Sequence, residues 1–411
     1  MKKNNVVSEC RRVRWRGRAG WLVANDRLAL CWLSGGGHLA SFSQRRGRVP
    51  DLNLVWEAPW KTIEPQRYSE KRDAPRYGRG PVGRTLSGYT GHMVCVDYFG
   101  APSKEEELSG LPLHGELGCS RWTLAKKSVR DGLLRLSMRG AAASAGLAML
   151  REITLRENES VVCVSETLAN KRNRDAYFQW VQHATFGPPF LRAGESVCVL
   201  PGTRSKTSPH GYEGSGALQD GREFLWPMAP AIDGGALDIS QPFNQEGRGF
   251  VATSLLGGDR GSTFTYVAVL NWRLGLLAGY VFRRSEFPWA AIWEENCARS
   301  AEPWRGKVQA RGLEFGNSPL PFGLKDAILA GPLFGVPGIG CLPARGKQRA
   351  SYAMFVAEVP ETWRAISGIT VHGKTIVISG PGTQDRVELP ASGLAELWPA
   401  VEKTSKSRAE S

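Results

Sequence analysis

Three side chains that can transfer protons lie in separate stretches of the sequence. Glu314 follows Leu313 and precedes Phe315, so in a strand it would face the opposite side of the sheet from these apolar neighbours. His183 lies in QWVQHATFG and His114 in PLHGELG, and turn-forming residues follow both. A carboxylate and an imidazole held together can act as general base and general acid. Taken alone, Glu314 is more typical of a solvated strand glutamate, and a lone histidine is more typical of a structural residue.

The order of these segments resembles the galactose mutarotase-like (aldose 1-epimerase) superfamily. That family carries an early His followed by Gly, a middle His before an aromatic-containing turn, and a late Leu-Glu with Pro five residues beyond the Glu. Here the late element is Leu313-Glu314 with Pro319, and residues 34–56 resemble the family's early Gly-rich hairpin.

The resemblance is incomplete at two substrate-binding segments. ALDIS (236–240) is similar to the family's Asp-Phe-Arg segment, but Ser240 replaces the arginine. The family's Gly-Arg motif is absent, and His92 lies where it would be expected. These departures affect how the outer hydroxyls of a sugar would be held.

The resemblance implies an enzyme that interconverts sugar anomers by opening and closing the ring. In that assignment Glu314 is the general base and His183 the general acid. His114 is a second polar contact to the sugar, Asp238 binds hydroxyls, and His92 supplies a replacement contact. The chemistry needs neither a metal nor a redox cofactor. A non-catalytic carbohydrate-binding module on the same fold remains the alternative.

Short strand patterns separated by Gly, Asn and Asp turns predict an all-β protein, a large antiparallel two-sheet β-sandwich with few short helices. We expect a single domain over residues 10–395, with polar, disordered tails at 1–9 and 400–411. Residues 61–91 are polar and rich in Arg, Gly and Pro, which predicts a long loop that could form one wall of a cleft.

The chain carries a net charge of +14. Arg12, Arg14, Arg16 and Arg18 alternate with other residues and would place four guanidinium groups on one face of a strand. Such a strand could follow phosphates, but no nucleic-acid module signature is present, so we interpret it as a solvated basic edge. The charge would also suit an anionic sugar.

The eight cysteines are scattered without a CxxC pair, which predicts neither a structural disulfide nor a metal site. We find no export signal and no apolar run long enough to span a bilayer. The sequence therefore favours a cytoplasmic protein that binds a small-molecule sugar, without a nucleic-acid or membrane partner. It leaves the oligomeric state open.

Overall fold

The computed structural model describes residues 8–213, 215–258 and 262–399. Strands account for 45% of the chain and helices for 10%, which confirms the predicted all-β class. The first eleven strands are β1 (Glu9–Trp15), β2 (Arg18–Ala24), β3 (Leu28–Leu33), β4 (Leu39–Gln44), β5 (His92–Cys95), β6 (Thr123–Arg130), β7 (Leu133–Ala142), β8 (Leu147–Arg156), β9 (Val161–Asn170), β10 (Ala176–Phe178) and β11 (Val181–Phe186).

The remaining strands follow in chain order. They are β12 (Ser196–Val199), β13 (Gly202–Thr207), β14 (Glu223–Leu225), β15 (Met228–Pro230), β16 (Ala236–Asp238), β17 (Arg248–Leu256), β18 (Phe264–Asn271), β19 (Leu276–Arg283), β20 (Trp289–Asn296), β21 (Gln309–Gly316), β22 (Gly340–Leu342), β23 (Lys347–Glu358), β24 (Gly368–His372), β25 (Thr375–Ser379) and β26 (Arg386–Pro390).

The helices are short. They are α1 (Glu70–Tyr77), α2 (Gly80–Gly88), α3 (Lys104–Leu108), α4 (Leu324–Ala330) and α5 (Leu394–Leu397), with 3₁₀ turns at Pro65–Arg67 and Leu117–Cys119. No helix among the described residues is long and apolar enough to cross a membrane.

Two large antiparallel sheets form the sandwich. The first has eleven strands in the order β1-β2-β3-β4-β5-β11-β21-β20-β17-β13-β14, and the second has eight in the order β12-β18-β19-β23-β9-β8-β7-β6. A small sheet, β24-β25-β26, packs with α5 against the outer face of the eight-stranded sheet. The main core lies between the two large sheets.

A smaller apolar cluster covers the outer face of the eleven-stranded sheet. In β21, Leu313 and Phe315 belong to the main core between the sheets, so Glu314 points to the outer face. The outer cluster includes Trp56, Tyr89, Trp293 and Trp304. This arrangement places a carboxylate under an aromatic cover.

Two of the sequence predictions are wrong in detail. Residues 61–91 are not one irregular loop, because they contain α1 and α2. The four N-terminal arginines do not share a strand face: Arg16 lies in the turn between β1 and β2, and Arg18 is buried in β2. The guanidinium of Arg18 donates to the carbonyls of Gly88 and Gly35, and so joins strands to the end of α2.

Candidate active site

Neighbouring strands bring His183 and Glu314 together. In the antiparallel pairing of β11 with β21, Gln182 pairs with Phe315 and Thr185 with Gly312. His183 and Glu314 therefore lie opposite each other and point to the same face. His183 Nε2 is 3.2 Å from Glu314 Oε1, and both side chains are nearly inaccessible to solvent.

Two hydroxyl groups face the other nitrogen of His183. The Tyr89 hydroxyl lies 3.3 Å from His183 Nδ1, and Thr185 Oγ1 lies 3.2 Å from it. The two hydroxyl oxygens are 2.6 Å apart, within hydrogen-bond distance. His183 thus contacts protein groups through both ring nitrogens.

His114 reaches the same site from a turn. Its backbone has φ of 65°, and Gly115 follows with φ of 77°, so two left-handed residues turn the chain sharply. Its Nδ1 donates a hydrogen bond to the carbonyl of Phe99. The imidazole ring lies edge-to-face with His183, with ring centres 5.0 Å apart.

These three side chains line one cavity of about 330 Å³. Pockets that hold small molecules have volumes of roughly 300–1,000 Å³, so the cavity has room for one sugar ring. The wall also contains Thr85, Leu86, Tyr89, Trp293, Arg299 and Trp304. Because Thr85 and Leu86 belong to α2, the 61–91 segment does form part of the wall.

Indole rings form an apolar side of the cavity. The rings of Trp293 and Trp304 contact each other edge-to-face with centres 5.9 Å apart. Trp293 also lies edge-to-face with His183, at 6.0 Å. Aromatic faces can stack on the C–H faces of sugars while polar groups at the rim bind hydroxyls.

Arg299 is the only arginine or lysine that lines the cavity within the described part of the chain. Its guanidinium carbon lies 4.7 Å from the ring centre of Tyr212 and 5.1 Å from that of Trp304. Its Nη1 lies 3.4 Å from a carboxylate oxygen of Glu295, and its Nε lies 3.4 Å from one of Glu213. The cationic group of the wall is therefore already paired with two anions.

Burial disfavours the charged forms of all three proton-transfer groups. It raises the pKa of Glu314 well above its ordinary value. It lowers the pKa of His183 well below the ordinary value, and the neighbouring imidazole of His114 lowers it further. Burial also lowers the pKa of His114 to about 4, against the opposing hydrogen bond to the Phe99 carbonyl.

Two predicted substrate contacts lie elsewhere. His92 is buried on the inner face of the eleven-stranded sheet, where its Nε2 donates to Gln182 Oε1 at 2.9 Å. Asp238 is outside the cavity wall, and its Oδ1 accepts hydrogen bonds from the backbone and hydroxyl of Ser240. Neither placement supports a contact with a ligand in the cavity.

The structure adds Tyr89, Thr185 and Arg299 to the site. Tyr89 follows α2 within a segment that the sequence predicted as a loop, and Arg299 follows the aromatic strand β20. No spacing or motif distinguished these residues. No group of three or more His, Cys, Asp or Glu side chains in the described ranges is placed to hold a metal ion.

Solved structures with a similar fold span most of the chain. A candidate aldose 1-epimerase from Klebsiella pneumoniae has a TM-score of 0.61 at 14% identity, covering 84% of this chain and 80% of that one. A galactose mutarotase-like protein from Clostridium acetobutylicum gives 0.56 at 12% identity, covering 86% and 99%. A candidate mutarotase from Salmonella typhimurium gives 0.53 at 12% identity, covering 86% and 96%. No protein-family model and no curated protein matches the sequence.

Proposed function

We propose that this chain, which has the fold of the galactose mutarotase-like proteins, is an aldose 1-epimerase that interconverts the anomers of a sugar. The convergence of His114, His183 and Glu314 in one cavity carries the proposal. The sequence separates these residues by up to 200 positions, and the fold brings them together under an aromatic cover.

The close approach of carboxylate and imidazole suits this reaction. Ring opening removes a proton from the hydroxyl on C1 and adds one to the ring oxygen, and both oxygens are bonded to C1. The base and the acid must therefore both reach oxygens bonded to C1. Glu314 is the base in this proposal, and an imidazole is the acid, His183 by resemblance to the family.

The charges at the cavity favour an uncharged sugar over an anionic one. The net charge of +14 is a property of the whole surface. However, Arg299 of the cavity wall already pairs with Glu213, which also lines the cavity, and with Glu295, which does not. A carboxylate or phosphate on the sugar would have to compete with both, so we propose that Arg299 donates hydrogen bonds to sugar hydroxyls.

Anomer exchange can be measured directly by NMR line exchange or polarimetry on a panel of aldoses, uronates and sugar phosphates. We expect the protein to accelerate exchange of at least one uncharged aldose above the rate in buffer. If the protein binds a sugar without accelerating exchange, it is a carbohydrate-binding module. If uronates or sugar phosphates are the preferred substrates, the charge argument at Arg299 is wrong.

A methyl group at Gly312 is expected to displace the proposed base. Gly312 lies two residues before Glu314 on the same strand face, and a Cβ there would overlap Glu314 Oε1. The carboxylate would have to move, and misplacement by about 1 Å can lower a rate by about 100-fold. We expect Gly312→Ala to lose activity on this scale while thermal unfolding changes little.

Gly373→Ala is the comparison for that measurement. Gly373 lies in the β24–β25 turn with φ of 58° and open space around its Cα, so alanine there strains the backbone without reaching the cavity. It should lower stability and leave the specific activity of the folded protein unchanged. Full activity of Gly312→Ala would show that the carboxylate position is not critical.

A further inference from the structure

We propose that a second cavity, on the outer face of the eleven-stranded sheet, binds a small organic molecule that carries one carboxylate on an apolar body. This cavity has a volume of about 420 Å³, within the range of pockets that hold small molecules. It lies between the end of β13, the segment 318–322 that follows β21, and α4 with the residues after it. Its ligand is distinct from the sugar.

The cross-strand register determines where the second cavity lies. Glu314 of β21 is opposite Ala291 of β20. Ala291 is opposite Thr253 of β17, and Thr253 is opposite Lys206 of β13. Opposite residues of antiparallel strands point to the same face, so Lys206 shares the outer face with Glu314. Three strand spacings place the two residues roughly 14 Å apart. One sugar ring cannot span that distance, so the second cavity needs a ligand of its own.

Two chain segments separate the second cavity from the cavity proposed for the sugar. Pro321 lines the sugar cavity, whereas its neighbours Leu320 and Phe322 line the second cavity. His210 lines the second cavity and lies edge-to-face with Phe322, with ring centres 5.3 Å apart. Glu213, three residues later, lines the sugar cavity. The two cavities are therefore adjacent but distinct.

Lys206 provides the positive charge of the second cavity. Its side chain is half-buried and lines the cavity. Glu223 is its direct cross-strand neighbour, but the Glu223 carboxylate lies 3.3 Å from Arg204 Nη2. No carboxylate in the described ranges forms an ion pair with the Lys206 ammonium. An anionic ligand would supply the missing partner through a charge-assisted hydrogen bond.

Ser318 provides a second donor in the same cavity. The residue is 1% exposed, and its Oγ accepts a hydrogen bond from Gln179 Nε2 at 2.6 Å. Its own hydroxyl hydrogen has no acceptor among the residues that the structure describes. Buried hydroxyl groups usually donate as well as accept. A carboxylate suits this pair of donors because its two oxygens can accept one bond from Lys206 and one from Ser318.

The rest of the lining limits the ligand to one negative charge. Most of it is apolar and includes Pro319, Leu329 and Leu333. Asp326 also lines the cavity and would repel a second negative charge. Since one ammonium neutralises one anion and an unpaired charge is costly to bury, a monocarboxylate fits better than a phosphate.

The test uses octanoate as the probe and octanamide as its uncharged counterpart, with binding measured by calorimetry. We expect octanoate to bind, and Lys206→Met to weaken its binding by about 10- to 100-fold, the scale of one hydrogen bond to a charged group. Octanamide should bind the parent and Lys206→Met equally, because it carries no charge. Lys347→Met, at the exposed start of β23, is the control and should leave octanoate binding unchanged.

Ala327→Leu tests the location independently. Ala327 is buried in α4 and lines the cavity, so leucine there would occupy the space of the ligand. We expect this variant to lose both probes while its thermal unfolding stays close to that of the parent. Absence of octanoate binding, equal octanoate affinity in Lys206→Met and the parent, or full binding by a folded Ala327→Leu would overturn the proposal. Displacement of octanoate by equimolar inorganic phosphate would contradict the preference for a monoanion. These outcomes are independent of whether any sugar is turned over.

Discussion

Glu314→Gln is expected to lower the catalysed rate of anomer exchange by about 100- to 10,000-fold, the range that a general base contributes. Glutamine has nearly the same size and can still accept the hydrogen bond that His183 offers at this position. It cannot take a proton from the C1 hydroxyl. The variant should therefore fold and bind sugar, and its thermal unfolding should remain close to that of the parent.

The pH dependence follows from the direction of the two pKa shifts. The active site needs one proton shared between the carboxyl group of Glu314 and the imidazole of His183. Below the lowered pKa of His183, both groups are protonated and no base remains. Above the raised pKa of Glu314, both have lost their protons and no acid remains. We expect a bell-shaped profile whose alkaline side reports Glu314 and whose acid side reports His183.

Glu388→Gln provides the matched control for the glutamate substitution. Glu388 is exposed in β26, in the small sheet on the far side of the eight-stranded sheet, and does not line the cavity. Its replacement should leave both the rate and the pH profile unchanged. Wild-type activity in Glu314→Gln would exclude Glu314 as the base.

Strand alternation made part of the site predictable from sequence. The pattern Leu313-Glu314-Phe315 placed the carboxylate opposite an apolar face, and the structure confirms that Leu313 and Phe315 are in the main core. The predicted sandwich is also confirmed by the similar solved structures. These features depend on the alternation of apolar and polar residues and on the order of the segments, and both can be read from a single sequence.

The position of His92 could not be predicted from the alternation of apolar and polar residues in its strand. All four residues of β5 are buried, so both faces of the strand are covered and its sequence does not show which face meets the cavity. Met93 lines the cavity wall, whereas His92 points into the main core. Similarly, the sequence of α2 shows no long apolar repeat. The position of α2 in the cavity wall depends on contacts with residues distant in the sequence, such as Arg18.

The protonation states of Glu314 and His183 could not be predicted from the sequence either. An opposite charge nearby favours the charged form of each partner, so charge alone would favour an ionised Glu314 beside a protonated His183. Both are buried under the aromatic cover, and burial acts against both charges. The depth of a group in the fold, which no motif encodes, therefore determines how the site holds its proton.

A second large effect is expected from a buried ion pair behind the site. Arg151 Nε donates to Glu166 Oε1 at 2.6 Å, and both side chains are 1% exposed. The other oxygen of Glu166 accepts from Gln182, the residue before His183, at 2.6 Å. Arg151→Met would leave the Glu166 charge buried without its cation. We expect a loss of about 3–5 kcal/mol in the free energy of unfolding, measured by urea denaturation.

The double variant Arg151→Met/Glu166→Gln separates the unpaired charge from simple loss of packing. Removing both charges should restore part of the stability lost in Arg151→Met, because glutamine can still accept one bond from Gln182 and carries no charge to desolvate. Arg139→Met, at an exposed position of the neighbouring strand β7, should change stability by less than about 0.5 kcal/mol. If Arg151→Met behaved like Arg139→Met, the pair would be hydrated in solution, and Gln182 would lose its fixed partner behind the strand that carries His183.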